Sequence, residues 1–140
     1  MQIITSIDAM VRTSETLRSE RRTIGFVPTM GALHRGHISL VEAARSRSEV
    51  VVMSVFVNPT QFGPKEDFAK YPRTFEKDCA MAEAAGCDIV FAPQAQEMYP
   101  EPYLTYVTVE ELSGRLCGVT RPGHFRGVAT VVLKLFNIVA

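Results

Sequence analysis

The sequence predicts an α/β protein whose parallel sheet is doubly wound, with helices on both faces. Apolar, β-branched runs at 23–27, 49–57 and 88–93 alternate with segments of helical period, so strands and helices take turns along the chain. The run from Glu49 to Val57 is almost continuously apolar, which suits a central strand covered on both faces. A segment rich in glycine and histidine, Thr29 to His37, then joins a strand pattern to a helix start.

In chain order, Ser6 to Glu20 places Ile7, Met10, Val11, Ser14 and Leu17 at helical spacing behind a capping serine, predicting a helix ahead of the first strand. Thr23 to Val27 predicts a strand closed by Pro28, and Ile38, Leu40, Val41 and Ala44 then return to helical spacing. Asn58 lies at the carboxyl end of the strand at 49–57. Thr74 to Ala85 predicts a helix ended by Gly86, and Asp88 to Pro93 the next buried strand. Tyr103 to Val109 alternates as an extended segment. Pro122-Gly123 opens a last helix, along which Phe125, Val128, Ala129, Val132, Leu135, Phe136 and Val139 keep the period. The chain ends inside that apolar helix with neither a glycine cap nor a polar tail, so 1–140 reads as the amino-terminal part of a longer protein, one incomplete domain.

Composition narrows the function classes. Hydrophobic residues make up 46% and charged residues 21%, ordinary for a soluble globular protein with a real core. Lysine plus arginine and aspartate plus glutamate both number 15, and the basic residues are scattered, so bulk charge argues against nucleic-acid or membrane-surface binding. The amino terminus lacks a signal-peptide pattern and no apolar run reaches membrane-spanning length, from which a cytoplasmic location is expected. Cys79, Cys87 and Cys117 are odd in number and form no C-x-x-C pair, predicting reduced, structural thiols.

Chemistry concentrates where strands end. Crevices in open α/β sheets lie beyond the carboxyl ends of strands, so Thr29 to His37 and Asn58 to Gln61 are expected to share one cleft. At a helix start, backbone N–H groups and the dipole favour anions, and a nucleotide is the natural guest. Gly31 and Gly36 have P-loop spacing, but His37 stands where that motif needs lysine and Ile38 where it needs a hydroxyl; a G-x-G-x-x-G fingerprint is also absent. What remains is His34-x-Gly36-His37. Histidines three apart put both imidazoles on one side of a first turn, and Gly36 is expected to let a ligand approach the backbone. The pair could share a metal ion, but zinc wants three or four protein ligands and no cluster lies nearby, so no metal site is expected.

That string resembles the HxGH signature of the nucleotidyltransferase superfamily. The blocks Val27-Pro28-Thr29-Met30-Gly31-Ala32-Leu33-His34, Phe56-Val57-Asn58-Pro59-Thr60-Gln61-Phe62, Tyr71-Pro72-Arg73-Thr74 and Arg121-Pro122-Gly123-His124-Phe125-Arg126-Gly127-Val128, in that order, resemble more narrowly the pantothenate synthetase (pantoate–beta-alanine ligase) family. The resemblance implies a Rossmann-like fold and a two-step ligation through a pantoyl adenylate, releasing pyrophosphate and then AMP, with Mg2+ accompanying ATP. It implies that Met30, Gly31, Ala32, Leu33, His34, Arg35, Gly36 and His37 line the ATP site. His34 and His37 would meet the phosphates, with His37 a candidate proton donor to the leaving group. Gln61 would serve pantoate, with Asn58, Pro28, Thr29, Tyr71, Arg121 and His124 as further substrate-site residues. For Arg121 and His124, capping and dimer packing stand as an equal reading. The family forms homodimers and continues past this length into a carboxyl-terminal domain that this chain does not hold, so the chain alone is expected to be inactive. The alternatives are another HxGH nucleotidyltransferase and a non-catalytic nucleotide-binding or dimerisation module.

Overall fold

A computed structural model of the chain describes residues 1–63, 66 and 68–139. Four short parallel strands run through it: β1 (Gln2–Ile4), β2 (Ile24–Thr29), β3 (Val50–Val55) and β4 (Ile89–Phe91), in the spatial order β1-β4-β3-β2 among the described residues. Between and after them come helices α1 (Ile7–Ser19), α2 (Arg35–Arg45), α3 (Phe75–Ala84), α4 (Ala95–Met98) and α5 (His124–Val139). Single 3-10 turns lie at Pro59–Gln61, Phe68–Lys70, Leu112–Gly114 and Leu116–Gly118.

The unbroken apolar run of β3 has the consequence its pattern implies. Val50 and Val52 face a layer built from Met10 and Leu17 of α1 and Val131, Leu135 and Ile138 of α5. Val51 and Met53 face the opposite layer, where Val41 of α2 and Cys79 and Ala82 of α3 pack. Side chains alternate across a strand, so only helices on both faces can remove all four from water. Each such fully buried side chain contributes roughly 1.5–3 kcal/mol relative to exposure. Ser6 caps α1 as expected, its hydroxyl accepting from Ala9 N at 3.1 Å.

Pro28 does not close β2; it lies within it. Val50 N and Phe56 N donate to the carbonyls of Thr23 and Thr29, so odd-numbered residues of β2 point their polar groups at β3. Pro28 therefore faces the outer side of an edge strand, where a missing N–H costs no ladder bond.

Two further features depart from the sequence reading. The strand at 23–27 is not the first, because Gln2–Ile4 pairs with β4; three residues are too few to show a period. Tyr103 to Val109 forms no strand. Its alternation serves packing along α5 instead: Val107 N donates to Thr130 Oγ1 at 2.9 Å, Tyr103 lies under the Lys134 ammonium at 4.7 Å, and Tyr106 stacks against the Arg126 guanidinium at 3.7 Å.

The register pairs Thr29 with Val55, so β2 and β3 end side by side. Met30 and Asn58 consequently leave the sheet at the same edge.

Candidate functional site

At that edge a cavity of about 530 Å3 opens between the ends of β2 and β3 and the face of α5. Pro28, Thr29, Met30 and His37 line one side, Asn58, Gln61, Phe62 and Tyr71 another, and Arg121 and His124 a third. Val128, Val131, Val132 and Leu135 of α5, with Phe56, form an apolar floor. A mostly apolar hollow with a few convergent polar groups is the usual form of a small-molecule site. The three sequence blocks at 28–37, 58–62 and 121–124, far apart along the chain, meet here.

The histidine turn is organised by its own imidazoles. His34 is the N-cap of α2, and its Nδ1 accepts from Gly36 N at 3.1 Å, while His37 Nδ1 accepts from His34 N at 3.3 Å. This is a capping box built from two histidines, with ring centroids 4.1 Å apart. A nitrogen that accepts carries no proton, so both rings carry their N–H on Nε2. Partial burial, then the neighbouring His34, push the His37 pKa below its ordinary 6.5, against an opposing pull from Asp78. The neutral donor form is thereby favoured.

Gly36 serves this box. A Cβ there would lie 2.9 Å from His34 Cε1, so glycine is required for the imidazole to fold back over the helix start.

Of the eight residues from Met30 to His37, only Met30 and His37 line the large cavity. His34, Arg35 and Gly36 lie exposed on the first turn, and the Arg35 guanidinium lies 3.4 Å from Glu42. The Leu33 side chain is buried in the α2–α3 layer with Val27, Val41 and Cys79, because an apolar residue at the turn completes that core. The amides of Ala32 and Leu33 are also engaged, donating to Asp78 Oδ2 and Oδ1 at 2.9 and 2.8 Å. Thr29 lines the cavity, but its hydroxyl is spent on the Ser54 carbonyl at 2.7 Å and on Gly31 N at 3.2 Å.

The opposite wall is organised by Asn58, only 1% exposed. Its Nδ2 donates to Gln61 Oε1 at 3.1 Å and to the Gly127 carbonyl at 3.2 Å. Its Oδ1 accepts from Tyr99 Oη at 2.8 Å and from the hydroxyl and amide of Thr60. With both of its amide hydrogens donated and its oxygen accepting from two side chains and an amide, Asn58 lines the cavity and holds Gln61 in place. With Gln61 Oε1 held, its Nε2 is turned toward Met30 Sδ, 2.9 Å away, and offers N–H groups to the cavity. The close approach of α5 that permits this requires Gly127, where a Cβ would overlap the Thr60 carbonyl.

Arg121 and His124 hold the same wall. Arg121 is bound in a fork by Glu66, Nε and Nη2 each at 2.6 Å, which holds the Glu66 carboxyl down at about 2. His124 Nδ1 donates to the Gln61 carbonyl at 2.9 Å, leaving Nε2 to accept from Arg121 Nη1 at 3.3 Å. The cation expected to meet an anion is thus already matched by Glu66.

Asp78, Glu66 and Tyr99 were not singled out from sequence, and Gly127 was quoted only as part of the block at 121–128. Only Asp78 carried a signal, a carboxylate on the inward face of a helix beside Cys79 and Ala82.

A family model described as pantoate-beta-alanine ligase matches residues 2–140. A pantothenate synthetase of Acidobacterium capsulatum is 70% identical over 118 residues, covering 84% of this chain and 40% of that protein. One from Thermotoga petrophila is 58% identical, covering 99% of this chain and 50% of its own length. Among solved structures, pantothenate synthetase from Thermus thermophilus superposes with a TM-score of 0.91 at 51% identity, covering 99% of this chain and 49% of that one. Pantoate-beta-alanine ligase from Francisella tularensis, complexed with beta-gamma ATP and beta-alanine, gives a TM-score of 0.93 at 41% identity, covering 99% and 53%. The chain therefore spans about half the length of most of these relatives. On the family match, the identities and the shared fold, the chain belongs to the pantoate–beta-alanine ligase family.

Proposed function

We propose that the protein carrying this chain ligates pantoate and β-alanine at the expense of ATP through a pantoyl adenylate. The pantoate carboxylate attacks the α-phosphorus, pyrophosphate leaves, and the β-alanine amine then displaces AMP at the acyl carbon. The observation that carries this reading is the meeting of the His37 ring and the Gln61 amide in one cavity, with the His34 ring tilted against His37 at 4.1 Å. The F. tularensis relative, complexed with beta-gamma ATP and beta-alanine, supports the same substrates here.

Little covalent work falls to the protein in the first step; it aligns nucleophile and phosphorus and stabilises charge growing on phosphate oxygens. His34 and His37, each accepting at Nδ1, suit that task through Nε2–H, and His37, which lines the cavity, is the donor to the departing pyrophosphate. Gln61 Nε2–H reads the carboxylate and hydroxyl oxygens of pantoate over the apolar floor. Among the described residues no group of three His, Cys, Asp or Glu side chains is placed to hold a metal. Mg2+ fits as a companion of the triphosphate, liganded by phosphate oxygens and water.

A homodimer is part of this reading. Leu104, Leu116 and Val119 are 83%, 88% and 71% exposed, and Val109, Leu112, Phe125 and Val132 line an apolar groove of about 310 Å3. A second copy covering that face would bury it. A cytoplasmic place of action belongs to the same reading. No helix among the described residues is long and apolar enough to cross a membrane.

The test is pyrophosphate release from Mg-ATP with and without D-pantoate, on the natural protein and on the 140-residue chain alone. Pantoate-dependent release by the natural protein and none by the chain alone is the expected result. Release that ignores pantoate would overturn the substrate assignment.

A further inference from the structure

We propose that Asp78 is a positioning residue for the histidine turn, a carboxylate clasp that sets where α2 begins and so where His34 and His37 present their donors. The proposal rests on the reading above that this turn meets ATP phosphates.

Asp78 lies in the first turn of α3, is 1% exposed, and reaches across to a turn more than forty residues away. Its two oxygens take the amides of Ala32 and Leu33 at 2.9 and 2.8 Å, and Thr74 Oγ1 donates to Oδ2 at 3.1 Å. All three donors are neutral, so this buried carboxylate is satisfied by hydrogen bonds. The backbone it grips is unusual. Gly31 and Ala32 have φ of +82° and +50°, and a non-glycine residue in the left-handed region needs its surroundings to hold it there. Two adjacent N–H groups pointing at one side chain demand two acceptor atoms, which a carboxylate supplies and a carboxamide does not. With both amides turned inward, the chain re-emerges at His34 with φ −138°, extended, ready to cap α2.

Asp78 also acts on His37 through space: its negative charge raises the His37 pKa while burial and His34 lower it. Thr74, three residues after Tyr71 of the cavity wall, completes the clasp.

The test is Asp78→Asn in the natural protein, read by three measurements. The KM for ATP should rise about tenfold or more with a fall in kcat, as expected when a charged acceptor's bond is lost, while the KM for pantoate stays within a few-fold. The His37 imidazole pKa, followed by NMR, should fall, and the Ala32 and Leu33 amides should lose exchange protection. A residue serving only the core would lower the melting temperature and leave all three unchanged in the folded variant, and that result would overturn the proposal. Should the variant fail to fold, Thr74→Ala decides. Removing one of the three bonds should raise the KM for ATP roughly two- to fivefold, and no change overturns the clasp. If wild type shows no pantoate-dependent pyrophosphate release, the ligase reading fails, while amide exchange and the His37 titration still decide the clasp.

Discussion

The two sides of the cavity are built on opposite plans. The histidine turn holds itself together over short distances: His34, Gly36 and His37 bond one another within four consecutive residues, and one remote carboxylate anchors the base. The Gln61 wall is held almost entirely by residues remote from it, with Asn58 reaching Tyr99 and Gly127, and Arg121 reaching Glu66. Damage to the first should therefore remove chemistry and spare the fold. Damage to the second should cost both.

The sharpest probe of that contrast is His37→Ala. Losing one phosphate-facing donor should lower turnover of the natural protein by roughly a hundredfold to a thousandfold. Unfolding in urea should shift by no more than about 1 kcal/mol, since only half of a capping box is lost. A rate near wild type would remove His37 from the reaction. Asn58→Ala should instead destabilise by about 2–3 kcal/mol, because Tyr99 and the Gly127 carbonyl lose their partner, and should also raise the KM for pantoate as Gln61 swings free. If Asn58→Ala kept both stability and pantoate affinity, the wall would not depend on its hub.

Gly127→Ala comes next. The new methyl meets the Thr60 carbonyl, and pushing α5 from that turn should cost about 1–3 kcal/mol, with the pantoate KM rising and the ATP KM nearly constant. Equal changes in both constants would mean that the two sides are not separable.

The smallest effects come from pH, and they too divide the sides. Glu66 is held at about 2 against an ordinary 4.5, chiefly by Arg121, so folding favours its ionised form. Its support is complete above about pH 4.5 and lost as the pH falls toward 2. His37 is shifted below 6.5, so folding favours its neutral ring; that support is complete above 6.5 and fades as the pH falls below it. An acid titration by NMR should thus show the α2 start loosening once the pH falls below 6.5, before the Gln61 wall. The reverse order would contradict both assignments.

These plans also explain what could be read in advance. The turn announced itself, since helix capping and strand-to-helix handover depend on residues a few positions apart. Asn58 and Gln61 were legible as a pair, but their division of labour was not: burial, and the reach of Tyr99 and Gly127, made one the hub and the other the presenting amide. Arg121 was legible as a cation at a helix start, whereas its match with Glu66 has no sequence signature. The burial of the Leu33 side chain in the α2–α3 layer depended on where those two helices pack, which its place in the turn did not reveal. Tyr103 to Val109 carried a strand's alternation without a partner strand beside it.

By itself the sequence determined the alternation of strands and helices, the two-faced burial of β3 and the chemistry of the histidine turn. Those follow from periodicity, side-chain type and hydrogen bonds between near neighbours. Only the tertiary structure decided that Asp78 clasps the turn, that Asn58 aims Gln61 and that Glu66 occupies Arg121. Those contacts join segments from about forty to seventy residues apart. Their partners are chosen by how the helices settle on the sheet, which no local pattern encodes.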